Sequence, residues 1–179
     1  MSATTTHQGL PEEMQPFALL ELIESLKSEL GLIDQDITYL RWVFRRVKRT
    51  DFVAGRICAA WTSVAKMAVE LGFSPRTIHR IETRLRRCGI ILKASLANGR
   101  RYGRRSEDGL IMRAGGINLA PVINRACELS NKLRLSRLAA VDLKDEQERA
   151  SLFIDDSTNE NISNAAMKRF GENYLGCIH

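Results

Sequence analysis

The sequence predicts a mainly α-helical domain with a small β-hairpin wing: a winged helix-turn-helix flanked by N-terminal helices and a longer C-terminal helix. Three observations predict it. Val64 to Ile91 holds two amphipathic segments joined at Gly72, with Ala68 four residues before that glycine and Ile78 six after it. Basic residues crowd the second segment and the stretch that follows it. Asn98-Gly99 then separates an aliphatic run from an arginine-rich one, and Asn-Gly is the strongest short signal for a tight hairpin turn.

The elements follow in order. Residues 1–15 are polar and read as a flexible segment, 16–154 as the DNA-binding domain, and 155–179 as a polar, largely disordered tail. From Phe17, Leu19, Leu20, Ile23, Leu26 and Leu30 recur at helical spacing and mark a helix ending near Gly31. Asp34 or Asp36 opens a second helix, with Ile37, Leu40, Val43, Phe44 and Val47 on its apolar side. Lys48 to Cys58 is a connector, and Thr62 is the expected cap of the next helix.

Val64, Met67, Ala68 and Leu71 form the inner face of that helix, and Ile78, Ile81, Leu85 and Cys88 the inner face of its partner. A steep crossing needs a small residue where the backbones meet and a turn residue tolerant of positive φ, the roles of Ala68 and Gly72. Ser74 suits the cap of the second helix and Pro75 its first position. The helix-turn-helix therefore spans about residues 62–88 and the wing about 90–105. Gly89 ends the second helix, Ile90 to Lys93 turns extended, and Arg100 to Arg105 returns past Asn98-Gly99. Ser106 to Gly109 makes a further turn, Leu110 to Leu119 adds a short strand, and Pro121 opens a longer helix through Val122, Ala126, Leu129 and Leu133.

Charge distribution points to the partner. The net charge is +6, but between Arg76 and Arg105 ten Lys or Arg face the single acid Glu82. The remainder of the chain holds more acids than bases, so the whole excess lies in one segment, as in a polyanion-binding footprint. At about 100° per residue, Arg76, His79, Arg80, Thr83 and Arg87 point away from the apolar stripe. Arg76 and Arg80 are the candidates for base edges, because the start of a recognition helix enters the major groove. Thr77, Arg84, Arg86 and Arg87 suit phosphates. Lys93, Arg100, Arg101, Arg104 and Arg105 would lay the wing along the backbone or into the minor groove. Tyr102 is a hairpin packing residue or a hydroxyl contact to phosphate, and Trp42 and Trp61 read as packing residues.

Other classes find little support. Asp155-Asp156 lies in a polar tail without an apolar pocket, no nucleophile stands in a recognised arrangement with a base, and the glycines near Asn98 lack the spacing of a phosphate loop. Neither enzyme chemistry nor a cofactor is expected. His7, His79 and His179 are too scattered for a metal site, and Cys58, Cys88, Cys127 and Cys177 form no Cys-x-x-Cys pair, so they are expected as reduced thiols. With no apolar run near the roughly 20 residues of a membrane span and no secretory signal, the expected location is cytoplasmic.

The residues also resemble a known family. Ser74-Pro75-Arg76-Thr77-Ile78, Leu85 with Gly89-Ile90-Ile91, the run Ala97 to Arg105, and Gly116-Ile117-Asn118-Leu119-Ala120-Pro121 are similar to the N-terminal domain of RepC, the replication initiator of repABC-type bacterial plasmids. The resemblance covers about residues 35–150, and the wing is its most specific part. It implies duplex DNA recognition at a plasmid origin, with Arg76 and Arg80 on the recognition helix and Arg100 to Arg105 on the wing. The chain departs from the family pattern at Gly116, where Phe is common, and in residues 1–15; family members also continue into a second domain.

The expected function is thus sequence-specific double-stranded DNA binding, as a RepC-type initiator or its DNA-binding part. A winged-helix transcriptional regulator at a promoter and a protein-interaction module on the same scaffold are the alternatives. Expected partners are origin or operator DNA, with a second copy of the chain or replication proteins as candidates. Opening an origin takes surfaces beyond one reader domain, so the chain is expected to bind DNA without supporting replication by itself.

Overall fold

The computed structural model describes residues 6–94 and 100–149; the Asn98-Gly99 pair and the expected tail at 155–179 lie outside them. The chain divides into two units, Met1–Leu133 and Arg134–His179. The architecture is mainly α with small antiparallel sheets, the predicted class at that level.

Helix α1, Pro16–Ser25, buries Leu19, Leu20, Leu22 and Ile23 and packs on α2, Asp34–Phe44. α1 stops earlier than its apolar spacing suggests, and the chain reaches Gly31 through turns, with Gly31 at φ +65°. α2 buries Ile37, Tyr39, Leu40, Trp42, Val43 and Phe44. Its first turn is closed by Asp36, whose carboxylate accepts the Ile33 N–H at 2.9 Å, one of the amide groups a helix start leaves unpaired. A single 3-10 turn follows at Arg49–Phe52.

The start of the described chain is anchored, in contrast to the flexible segment expected there. His7 is only 4% exposed, its Nε2 lies 2.8 Å from the Asp51 carbonyl oxygen, and its Nδ1 accepts the Gly9 N–H. Gln8 donates its N–H to Asn124 at 2.8 Å. Polarity suggested looseness, but these polar groups find their partners inside the protein.

α3, Val64–Leu71, and α4, Pro75–Arg87, pack against each other and against α2. Met67 and Ala68 on one helix and Ile78, Ile81 and Leu85 on the other are buried in their seam, with Val64, Leu71 and Cys88 at its margin. Gly72 adopts φ +66° and closes α3, while the Phe73 N–H returns to the Ala68 carbonyl. The α3 cap is Ser63, one residue later than expected, because Thr62 still belongs to the non-helical run leaving the first strand. Ser74 caps α4 by accepting the Thr77 N–H at 3.1 Å, and Gly89 follows the helix at φ +67°.

Two small antiparallel sheets adjoin the helices. β1 (Ala59–Ala60) and β2 (Leu92–Lys93) flank β5 (Ile117–Asn118), and β3 (Tyr102–Arg105) pairs with β4 (Ile111–Gly115). This corrects the expected wing, in which Asn98-Gly99 joined residues 90–93 directly to 100–105 as antiparallel partners. Lys93 lies opposite Ile117, the Ala94 N–H reaches the Gly116 carbonyl, and Tyr102 lies opposite Gly115. β2 and β3 are thus both antiparallel to the same run of chain and parallel in direction to each other, which no two-residue hairpin turn can produce. The hairpin turn is Ser106–Gly109, where Ser106 N–H bonds to the Leu110 carbonyl.

Two close approaches hold this run of strands against β1 and the neighbouring Trp61. A Cβ on Gly103 would fall 2.2 Å from the Trp61 ring, and one on Gly116 would fall 2.3 Å from the Ala60 carbonyl oxygen. No side chain fits at Gly116 without a shift of the Ala60 backbone. After β5, α5 covers Ala120–Asn124; the helix expected from Pro121 is broken at Arg125 and resumes over residues 126–133 of the first unit. In the second unit the described residues 134–149 are helical, with Leu135, Leu138, Val141 and Leu143 exposed. Among the described residues no helix is long and apolar enough to cross a membrane.

Candidate nucleic-acid interface

The site is built on α4, which the Ser74 cap and Pro75 start at a fixed residue and which Ile78, Ile81 and Leu85 hold against α3. Those buried positions set the helix rotation, and the rotation sends Arg76, His79, Arg80, Arg86 and Arg87 into solvent. Arg76, His79, Arg80, Thr83, Arg84 and Arg87 together line one shallow depression along the helix. Thr83 spends its hydroxyl proton on the His79 carbonyl at 2.8 Å, leaving its methyl and oxygen lone pairs outward. Thr77 is tied into the cap, its Oγ1 2.9 Å from Ser74 Oγ.

Not every basic residue singled out in the sequence faces outward. Arg84 makes two charge-assisted bonds to Asp36, Nε to Oδ2 at 2.6 Å and an Nη to Oδ1 at 2.7 Å, and Asp36 has no exposed surface. Arg105 grips Asp51 with two bonds of 2.7 Å and lies over the Trp61 ring. Arg101, with a side chain 5% exposed, pairs with Glu82 and donates to the Thr62 carbonyl. Lys93 Nζ is 3.1 Å from the other Glu82 oxygen. Arg84, Arg101 and Arg105 therefore serve as internal clasps rather than free contacts, because three buried carboxylates stand where the fold brings these arginines.

Glu82 is the acid that spacing alone left unexplained. It is 2% exposed on the inner side of α4 and accepts the Tyr39 hydroxyl at 2.9 Å. Burial pushes its carboxyl up, but the charges of Arg101 and Lys93 outweigh burial and hold it below the ordinary value. Burial beside Glu82 likewise raises the Tyr39 phenol, so Tyr39 stays a donor. Through Glu82, α2, α4 and the chain on either side of residues 95–99 share one polar junction.

What remains outward is a coherent set. Arg76, Arg80, Arg86 and Arg87 on α4 and Arg104 on β3 are exposed and meet no carboxylate among the described residues. Arg100 is also exposed. His79 is exposed, 3.9 Å from Glu82. Tyr102 is half-buried on β3, its ring against Gly115. Arg113, absent from the sequence reading, stands directly opposite Arg104 on β4. It lies beyond the charge-dense run, and only the strand register brings it in.

Comparison with known proteins agrees with the resemblance seen in the residues. A Sinorhizobium fredii protein that carries the name replication protein C is 30% identical over 152 residues, an alignment covering 81% of this chain. The chain spans 38% of the length of that relative. No solved structure matches. The family model for the replication protein C N-terminal domain matches residues 1–164. On a match of that extent, the chain belongs to the replication protein C family through its N-terminal domain.

Proposed function

We propose that this chain binds duplex DNA in a sequence-dependent way through a winged helix-turn-helix, as the origin-reading part of a plasmid replication initiator. In this reading α3 and α4 are the helix-turn-helix and the strands after α4 are the wing. The observation that carries it is the division among the basic residues. Arginines facing the interior are neutralised one by one, whereas Arg76, Arg80 and Arg87 form an exposed stripe on the second helix that meets no acid among the described residues. The family's replication name, and that of the Sinorhizobium relative, supply the biological setting.

Arg76 and Arg80, nearest the helix start, take base edges, where a guanidinium can hold guanine O6 and N7 together. Arg86, Arg87, Arg100 and Arg104 take phosphates, and Thr83 and His79 lie between these two sets. No step of this reading calls on catalysis, a metal or a cofactor.

A salt titration tests it. With about 5 phosphate contacts, the log-log slope of affinity against salt on duplex DNA is expected near −4 to −5, and a slope near zero overturns the reading. Arg80→Ala is expected to cost roughly 1–3 kcal/mol on the preferred duplex and to flatten the preference at one base position. Equal loss on all duplexes would remove Arg80 from base reading.

A further inference from the structure

We infer that the outer face of the β3–β4 hairpin is a phosphodiester clamp, in which Arg104 and Arg113 grip the duplex backbone from neighbouring strands and Tyr102 steadies Arg113. The inference rests on the DNA-binding reading and extends its phosphate contact at Arg104 to the opposite strand, through Arg113 and Tyr102.

Strand alternation separates the two faces of the hairpin. Gly103 and Arg105 turn toward Trp61, and Ile111 and Ala114 pack with Ile57 and Ala59. Tyr102, Arg104 and Arg113 fall on the other face. Arg104 and Arg113 are register partners, both are exposed, and neither meets a carboxylate among the described residues. Like charges directly opposite each other in an antiparallel pair cost stability, so the pairing calls for an anion.

The same strand shows the alternative arrangement. Arg105, next in sequence, is neutralised by Asp51, and Arg101 by Glu82. Alternation along β3 puts the Arg104 and Arg105 guanidiniums on opposite faces, and the register shift there leaves Met112 of β4 as the extra residue. The Arg113 guanidinium sits 5.6 Å from the Tyr102 ring centroid. That ring can lie flat because its partner is Gly115, where a Cβ would come within 3.0 Å of it. Two planar forks held this way match phosphate oxygens and carry no base information. Glu107 and Asp108, beside Arg104 at the hairpin turn, repel an anion there, so the backbone must pass on the Tyr102 side.

The test uses the full chain with R104Q/R113Q, R104K/R113K and Arg80→Ala, measuring anisotropy on a preferred and a scrambled duplex across salt concentrations. R104Q/R113Q is expected to weaken both duplexes alike, by about 10- to 100-fold, and to reduce the magnitude of the salt slope by about 2. Its preference ratio and melting temperature should be retained, and R104K/R113K should keep most of the slope. An unchanged slope, or a loss confined to the preferred duplex, overturns the clamp. If Arg80→Ala flattens the preference while R104Q/R113Q leaves the slope intact, the clamp fails alone. Absence of any wild-type duplex binding at low salt removes both readings.

Discussion

A guanidinium facing a buried carboxylate and one facing solvent differ in what their removal does. Arg84 and Arg87 are three residues apart on α4, yet Arg84 holds a fully buried Asp36 whereas Arg87 meets no acid among the described residues. Truncating one partner of a buried pair leaves the other charge uncompensated, at about 3–5 kcal/mol. Arg84→Ala is therefore expected to lower unfolding free energy by roughly that amount in urea denaturation. Arg87→Ala should change it by less than about 0.5 kcal/mol while weakening DNA. Equal stability of the two variants would show that the Asp36 clasp is not structural. The sequence groups Arg84 with the phosphate contacts, although helical angle does not place it among the outward residues. Its true partner lies 48 positions earlier in the chain, a separation that no local pattern registers. Glu82 was equally opaque: one acid in a basic run looks incidental until Tyr39, Lys93 and Arg101 are seen around it.

Elements were legible wherever a local rule decides them. Ser74, Pro75 and Gly89 mark the ends of α4 in the sequence, and the structure places the cap, the first turn and the left-handed exit there. Ser74→Ala should destabilise the chain by about 1 kcal/mol, since it removes the acceptor for the Thr77 N–H; no measurable loss on denaturation would mean the cap is redundant. Strand partnership was the illegible part. Asn98-Gly99 is a strong local signal, but β2 and β3 take their partners from residues 111–118, and only the full register shows that they run in the same direction. Gly116 depends on the same long-range fit. A methyl there meets the Ala60 carbonyl oxygen, which is backbone and cannot swing aside. Gly116→Ala should cost about 1–3 kcal/mol as overpacking, measured by the same denaturation; an unaffected variant would show that β1 and β5 can part without loss.

At the scale of the molecule, the net charge of +6 hides three acids that the fold encloses among the described residues, Asp36, Asp51 and Glu82, and, among the same residues, one buried base, His7. The shifts of His7 and Glu82 link stability to pH in two windows. Burial lowers the His7 pKa below its ordinary 6.5, against the opposing pull of Asp51. The unfolded chain then binds a proton that the folded chain resists, so His7 contributes its full stability above about pH 6.5 and loses it as pH falls below that value. Glu82 is held below its ordinary 4.5, where the charges of Arg101 and Lys93 overcome the penalty of burial. Its contribution is complete above about pH 4.5 and disappears as acid protonates the folded carboxylate. Asp34 and Glu128 shift the same way, but they are exposed and solvent screens their pairs. Urea denaturation is therefore expected to give a level stability between about pH 7 and 8, below the range in which the unfolded chain would ionise the buried Cys58 and Tyr39. A first decline should follow as pH falls below 6.5, no steeper than about 1.4 kcal/mol per pH unit for one proton, and a second below pH 4.5. His7→Gln should abolish the first decline and keep the second, whereas Glu82→Gln should lower stability at neutral pH and blunt the second. A first decline that survives in His7→Gln would assign it to another group and would mean that residues 6–10 do not hold the histidine against Asp51 in solution.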